Sequence, residues 1–158
     1  MNYRAQLYTG ALSGLAIGIT AAPDRLESVL LPCAIAGCLG GIAPDIDIGG
    51  SHISHKAPIL SFLSEKIFGH RGFLHTPAFL LVLAIPVIRL GYPGGFALLA
   101  GYASHLILDL LTPKGIMLLY PVNRHYYHLF GFKSRFRDFL AILAVSAIFV
   151  FYYKAITG

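Results

Sequence analysis

The sequence predicts an all-α protein embedded in a membrane, a single domain over residues 1–158 built from about five hydrophobic helices. Hydrophobic residues make up 56% of the chain, charged residues only 12%, and the mean hydropathy is +0.71. Soluble domains carry about 25% charged residues, and so few charges cannot cover a water-facing surface. The second observation is the series of long apolar runs along the chain. The third is that acids and histidines lie at the ends of these runs. Together they predict a helical bundle with a His/Asp metal site at one membrane face.

Five apolar segments supply the predicted helices. A straight membrane crossing needs about 20 residues, and backbone groups in lipid must be satisfied within the segment, which favours α-helix. The second segment is the weakest, because it has fifteen residues with Pro32 near its start. We expect that segment to be short, tilted or only partly crossing. In chain order the segments are 5–22, 29–43, 73–90, 95–112 and 139–153.

Small residues recur at helical spacing in the first segment. Gly10, Gly14 and Gly18 are four residues apart, the small-xxx-small pattern that permits close contact between membrane helices. The alternative is that these glycines only fill volume. We expect close packing against a neighbouring helix.

The Lys and Arg residues are distributed unevenly between the connections. If all five segments cross, one side of the membrane holds the N-terminus and residues 44–72 and 113–138, and it carries nine of the twelve Lys and Arg residues. The positive-inside rule places this side, called the basic face below, in the cytoplasm. The sequence thus predicts a multi-pass protein of the inner (plasma) membrane. The net charge of +5 is explained by these loops, and no nucleic-acid partner is expected.

The side chains suited to metal binding all fall at the basic face. They stand where the second segment ends, where the third begins and in the last part of the fourth. Histidine and carboxylate ligands of this kind suit a divalent ion, above all zinc. The predicted ligands are Asp45, Asp47, His70, His75, His105 and Asp109.

His105 and Asp109 are spaced i, i+4, so both side chains lie on one side of a helix. An intramembrane Asp is costly unless it is paired or liganded. The pair therefore predicts a metal site, and the alternative is a His–Asp hydrogen bond that packs the bundle.

Asp45 and Asp47 form a carboxylate pair just past the end of the second segment. Paired acids can ligate a metal, bridge two metals or serve as the base for a water, so both are also candidate catalytic residues. The alternative is a polar helix exit, because Asp is common in turns.

The run from His70 to His75 contains two histidines around Arg71 and Gly72. Arg71 is suited to hold a phosphate or carboxylate through two hydrogen bonds. At least one of the two histidines is expected to be a ligand. Lys114 and Arg124 lie at the same face as further candidates for anionic groups, although the tyrosines around Arg124 also fit an interfacial aromatic belt.

These motifs resemble those of the YdjM-type inner-membrane proteins, described as membrane-bound metal-dependent hydrolases. The resemblance rests on the stretches 43–47, 68–76 and 101–115, continued by 118–121. It implies a helical membrane fold with a metal-binding face.

The order Pro-Asp, His, Ser-His-x-x-x-Asp is also similar to zinc-dependent phospholipase C domains, which are soluble all-helical enzymes that cleave phosphodiesters. That similarity implies Asp45, His75, His105 and Asp109 as metal ligands. Members of the YdjM-type family often carry a histidine where this chain has Gln6. Gln6 therefore implies either fewer metals or a contact to substrate or to a ligand water.

Three functions are compatible with the sequence. The leading hypothesis is a metal-dependent hydrolase that cleaves a phosphoester of a membrane lipid or lipid-linked substrate, with Asp45 or Asp47 as base. The second is a non-catalytic membrane scaffold or stress-response protein with a structural metal site. The third is an ion transporter, because intramembrane His and Asp often mark ion paths. An oligomer is compatible with all three.

Overall fold

The computed structural model describes residues 3–48, 51–68, 72–129 and 134–157, and these residues confirm the all-α prediction. They form seven α-helices and three short 3-10 turns, with an isolated bridge between Ile116 and Tyr127 and no strand. The helices are α1 (Tyr3–Ala21), α2 (Leu26–Ile42), α3 (His52–Lys56), α4 (Pro58–Phe68), α5 (Pro77–Leu90), α6 (Pro93–Leu110) and α7 (Ser134–Thr157). The 3-10 turns are Pro23–Arg25, Ala43–Asp47 and Phe73–His75.

Each predicted apolar segment coincides with one of the longer helices, but the third begins later than predicted. The hydroxyl oxygen of Thr76 accepts a hydrogen bond from the backbone N–H of Phe79 at 3.3 Å, and Pro77 takes the first helical position. A threonine N-cap followed by proline is a strong helix start. His75 is therefore held in a 3-10 turn before α5 and not on the helix itself.

The second segment, predicted to be the weakest, lies in a helical run that is both long and apolar enough for a membrane crossing. α2 continues into 3-10 turns at both ends, which gives a helical run of 25 residues over Pro23–Asp47. Pro32 lies on the exposed side of α2 and does not end it. Within the described ranges, this is the single helical stretch both long and apolar enough to cross a membrane.

Residues 52–68, predicted to be part of a connection, form α3 and α4. α4 packs against the 3-10 turn Ala43–Asp47. The apolar runs in this region are short, so the prediction missed both helices.

The core of the fold is a three-helix contact among α1, α2 and α6, and glycines form it. A Cβ atom on Gly10 would overlap the backbone carbonyl of Gly37, and one on Gly101 would overlap the same carbonyl from the other side. A Cβ on Gly14 would overlap the carbonyl of Cys33. The close packing predicted from the glycine spacing is confirmed. This glycine contact brings the C-terminal end of α2 against the middle of α6.

The outer helices present apolar side chains outwards. α5 has no buried residue, and Leu81, Ile85 and Ile88 are among its exposed side chains. Contiguous apolar surface of this kind is unusual on a soluble monomer and is suited to lipid contact.

Candidate metal centre

Three separate elements carry the buried acidic and histidine side chains to one place. The 3-10 turn after α2 carries Asp45 and Asp47, the 3-10 turn before α5 carries His75, and α6 carries His105 and Asp109. The glycine contact between α2 and α6 is what allows the first and third of these elements to meet. The convergence predicted from the sequence is therefore present for these five residues.

The ring nitrogens and carboxylate oxygens surround a common point. His75 Nε2 lies 3.5 Å from Asp45 Oδ1 and 3.9 Å from Asp109 Oδ2. His105 Nε2 lies 3.6 Å and 3.8 Å from the same two oxygens. The ligand atoms of Asp45, His75 and His105 all lie within 4.8 Å of one another.

These separations fit a bound divalent ion. Ligand atoms about 2.0–2.2 Å from a zinc ion are about 3.3–3.6 Å apart in tetrahedral geometry. The observed distances of 3.5 to 3.9 Å are slightly longer. A small inward movement would bring Asp45, His75 and His105 to coordination distance of one ion, and Asp109, which lies near both imidazoles, is the fourth candidate ligand.

His105 is oriented for metal binding by a backbone group. Its Nδ1 lies 2.7 Å from the carbonyl oxygen of Gly41, at the end of α2. A carbonyl can only accept, so Nδ1 carries the proton and Nε2 presents a lone pair to the cluster. A second hydrogen bond that fixes the tautomer in this way is the usual partner of a metal-ligating histidine.

Asp47 occupies the other side of His75. Its Oδ1 lies 3.0 Å from His75 Nδ1, while His75 Nε2 faces Asp45 and Asp109. The contact is an ion pair by distance, with the carboxylate off the direction in which the ring N–H would donate. This geometry places Asp47 behind the histidine and not among the atoms that face the common point, although the sequence suggested it as a direct ligand or base.

The centre is buried and rich in negative charge. His105 is 0% exposed, His75, Asp47 and Asp109 are almost fully buried, and only the Asp45 side chain is accessible, at 18%. Burial lowers the pKa of His75, but the neighbouring carboxylates of Asp45 and Asp47 outweigh it and raise the pKa to about 9. Two buried carboxylates and a third that is mostly buried, beside two histidines, are costly without a cation. The charge balance favours a divalent ion.

Gln6 of α1 faces the same centre. Its amide lies beside the Asp45 carboxylate, and its side chain is 1% exposed. Apart from this contact with Asp45, neither its amide nitrogen nor its amide oxygen makes a hydrogen bond among the described residues. Buried amides are rarely left without partners, so this side chain is available to a ligand, a water or a substrate group.

Among the remaining predicted residues, the two that the structure describes, Lys114 and Arg124, do not join the cluster. His70 and Arg71 lie outside the described residues. Lys114 and Arg124 are exposed. The Arg124 guanidinium lies 6.0 Å from the centre of the Tyr120 ring, which in turn lies 6.1 Å from the ring of Phe73, two residues before His75. The Tyr120 ring therefore separates Arg124 from the turn Phe73–His75.

Two supporting groups were missed by the sequence analysis. The Tyr102 hydroxyl donates to the backbone carbonyl of Leu74 and ties α6 to the turn that carries His75. Tyr102 is three residues before His105, so it shares that helix face, and this spacing was the available signal. The role of the Gly41 carbonyl has no signal in the sequence, because every residue carries a backbone carbonyl.

The family of the chain follows from comparison with known proteins. The model of the family described as YdjM inner membrane protein matches residues 1–157. The chain belongs to this family. The protein is accordingly associated with the membrane, in agreement with its composition and its exposed apolar helices.

Curated relatives match over part of their length. The "Uncharacterized protein YvsG" of Bacillus subtilis (strain 168) is 41% identical over 91 residues, which is 56% of each chain. The "Inner membrane protein YdjM" of Escherichia coli (strain K12) is 34% identical over 100 residues, which is 58% of this chain and 49% of the relative. The chain spans about half the length of the curated relatives it matches. No solved structure matches the chain.

Proposed function

We propose that this family member is a multi-pass membrane metal-dependent hydrolase that cleaves a phosphoester in a lipid or lipid-linked substrate at the cytoplasmic face. The observation that supports it is the convergence of Asp45, His75, His105 and Asp109 at ligand-to-ligand distances of 3.5 to 3.9 Å. Zinc is the proposed ion, since two imidazoles and two carboxylates form a donor set that it favours. A divalent metal bound there would supply Lewis-acid and water-activating chemistry.

The proposed residues have two kinds of role: some hold the metal ion, and others act on the water or the substrate. His75, His105 and Asp109 are buried on all sides and hold the ion. Asp45 is the accessible member at 18% exposure, which supports its proposed role as the group that takes a proton from an attacking water. The Gln6 amide, which lies beside the Asp45 carboxylate, is proposed to donate to a phosphoryl oxygen. Arg71, Lys114 and Arg124 are proposed to bind the anionic headgroup.

The test of this function is turnover. Purified protein loaded with Zn²⁺ and reconstituted with a total lipid extract is expected to release a phosphorylated headgroup or inorganic phosphate. Chelator-treated protein and a His105→Ala variant should not release it. Protein that holds the metal stoichiometrically but transforms no lipid in the extract would contradict the hydrolase.

The burial of the centre favours a second candidate, a structural metal site in a membrane scaffold. Structural sites are closed by protein ligands, whereas catalytic sites keep one position open, and here only Asp45 is accessible. In that case metal removal lowers the unfolding temperature, and no turnover accompanies the bound metal.

Asp47→Asn is expected to weaken metal binding by about 10–100-fold without abolishing it, the usual effect of losing a partner behind a ligating histidine. The amide keeps the shape but loses the charge that orients His75. Affinity is measured by competition with a chelating dye. Asp24→Asn, in the exposed turn Pro23–Arg25, is the matched control and should bind as the parent does. Complete loss of binding would instead make Asp47 a direct ligand, and unchanged affinity would remove it from the site.

A further inference from the structure

α4 has its apolar side facing outwards. Ile59 is 80% exposed, Phe62 64% and Leu63 50%, while Ser61 on the other side of the helix is 4% exposed. The spacing of Ile59, Phe62 and Leu63 places them on one helix face. α4 therefore turns these three large apolar side chains outwards on one face, while Ser61 on the opposite side is buried.

This orientation is the reverse of that found in water. A helix on a soluble protein turns its apolar face to the core, because each Å² of apolar surface left in water costs about 25 cal/mol. In α4 a serine is buried and three large apolar side chains are exposed. The cost of exposing these side chains disappears if they contact an apolar phase and not water.

α4 is too short to cross a bilayer. Its 11 residues span about 16 Å at 1.5 Å per residue, roughly half of a hydrocarbon core of about 30 Å. A short amphipathic helix of this kind lies in the plane of the interface.

Glu65 of α4 is half-buried, and the exposed charged side chains on and just before the helix are basic, which suits an anionic surface. Lys56 just before α4 and Lys66 in its last turn are both exposed. The Lys66 ammonium lies 5.9 Å from the centre of the Phe62 ring, so the cation and the aromatic ring occupy the same depth. A long lysine side chain at a helix end can extend to the headgroups while its methylenes stay in the apolar layer.

We propose that α4 is an interfacial helix that inserts Ile59, Phe62 and Leu63 into the headgroup boundary of an anionic bilayer. Because α4 packs against the turn Ala43–Asp47, this insertion sets the metal centre at headgroup depth. The inference rests on the membrane association of the protein and not on hydrolysis, so it stands or fails separately from the proposed function.

The chain contains no tryptophan, so a single substitution supplies a unique depth probe. Phe62→Trp and, as a comparison on the exposed face of α5, Ile85→Trp are each reconstituted into vesicles of phosphatidylglycerol and phosphatidylcholine. The lipids carry bromine either near the headgroup end or near the methyl end of the acyl chain. Circular dichroism confirms that each variant keeps its helical content.

Phe62→Trp is expected to be quenched more by the headgroup-end bromines than by the methyl-end bromines. The ratio of headgroup-end quenching to methyl-end quenching should be smaller for Ile85→Trp. With bromine on one lipid class at a time, the anionic lipid should quench Phe62→Trp more strongly, since each lysine enriches anionic lipid about fivefold nearby.

Three outcomes would overturn the proposal. Emission from Phe62→Trp that neither lipid quenches, while Ile85→Trp is quenched, means that water or a second copy of the chain covers this face. Stronger quenching by the methyl-end bromines means that α4 lies deeper than the interface. Equal quenching by the two lipid classes removes the anionic preference.

Discussion

A His105→Ala variant is expected to be purified without bound metal. His105 is fully buried, its Nε2 faces both Asp45 and Asp109, and its proton is fixed on Nδ1 by the Gly41 carbonyl. Its loss leaves one imidazole and two carboxylates, and the cavity left by the ring cannot supply a replacement ligand. Elemental analysis of detergent-purified protein should show metal close to stoichiometric in the parent and near background in the variant.

His125→Ala is the matched control. His125 is exposed and its ring packs against Tyr127 with centroids 5.0 Å apart, in the loop that follows α6. Its removal is expected to leave the metal content unchanged. A folded His105→Ala protein with parental metal content would show that the ion is bound elsewhere in the chain.

A Gly101→Ala variant is expected to lose about 1–3 kcal/mol of unfolding free energy, with the metal content falling as well. The added methyl group would overlap the Gly37 backbone carbonyl, and a backbone group packed between three helices cannot rotate away. α6 must then move from α2, which separates His105 from the Gly41 carbonyl that orients it. Unfolding in mixed detergent micelles measures the first effect and elemental analysis the second.

Gly95→Ala makes the same chemical change in the same helix and serves as its control. A Cβ at Gly95 would meet a Val87 side-chain methyl at 3.0 Å and no backbone atom nearby. Because a side chain can shift where a backbone carbonyl cannot, this variant should lose much less stability than Gly101→Ala. Equal stability of the two variants would contradict the proposed role of the glycine contact.

Much of the metal centre could be predicted because its residues are of types that are rare near apolar segments and because they lie at or near the ends of those segments. Acids and histidines are uncommon in apolar segments, so Asp45, His75, His105 and Asp109 stood out, and the alternation of helices indicated that their ends meet. The role of Asp47 could not be predicted. It depends on which nitrogen of the His75 ring faces inwards, and that follows from the three-dimensional path of two turns.

The fold was predictable where hydropathy and helix length coincide. The five long helices follow the apolar runs, whereas α4 was missed because serine and charged residues interrupt its apolar residues and leave only short runs. Segment 29–43 is predicted to be short, tilted or only partly crossing because the hydropathy pattern stops where α2 continues into 3-10 turns, and these turns carry polar residues. The multi-pass topology remains a prediction, since it concerns the membrane and not the chain alone.

X-ray absorption at the zinc edge, recorded on detergent-purified protein loaded with Zn²⁺, tests the central claim most directly. A centre formed by Asp45, His75, His105 and Asp109 predicts nitrogen and oxygen neighbours at about 2.0–2.2 Å, with the outer-shell scattering of imidazole rings. A protein that binds no zinc would contradict it. So would a sulfur shell at about 2.3 Å, which would move the ion to Cys33 and Cys38.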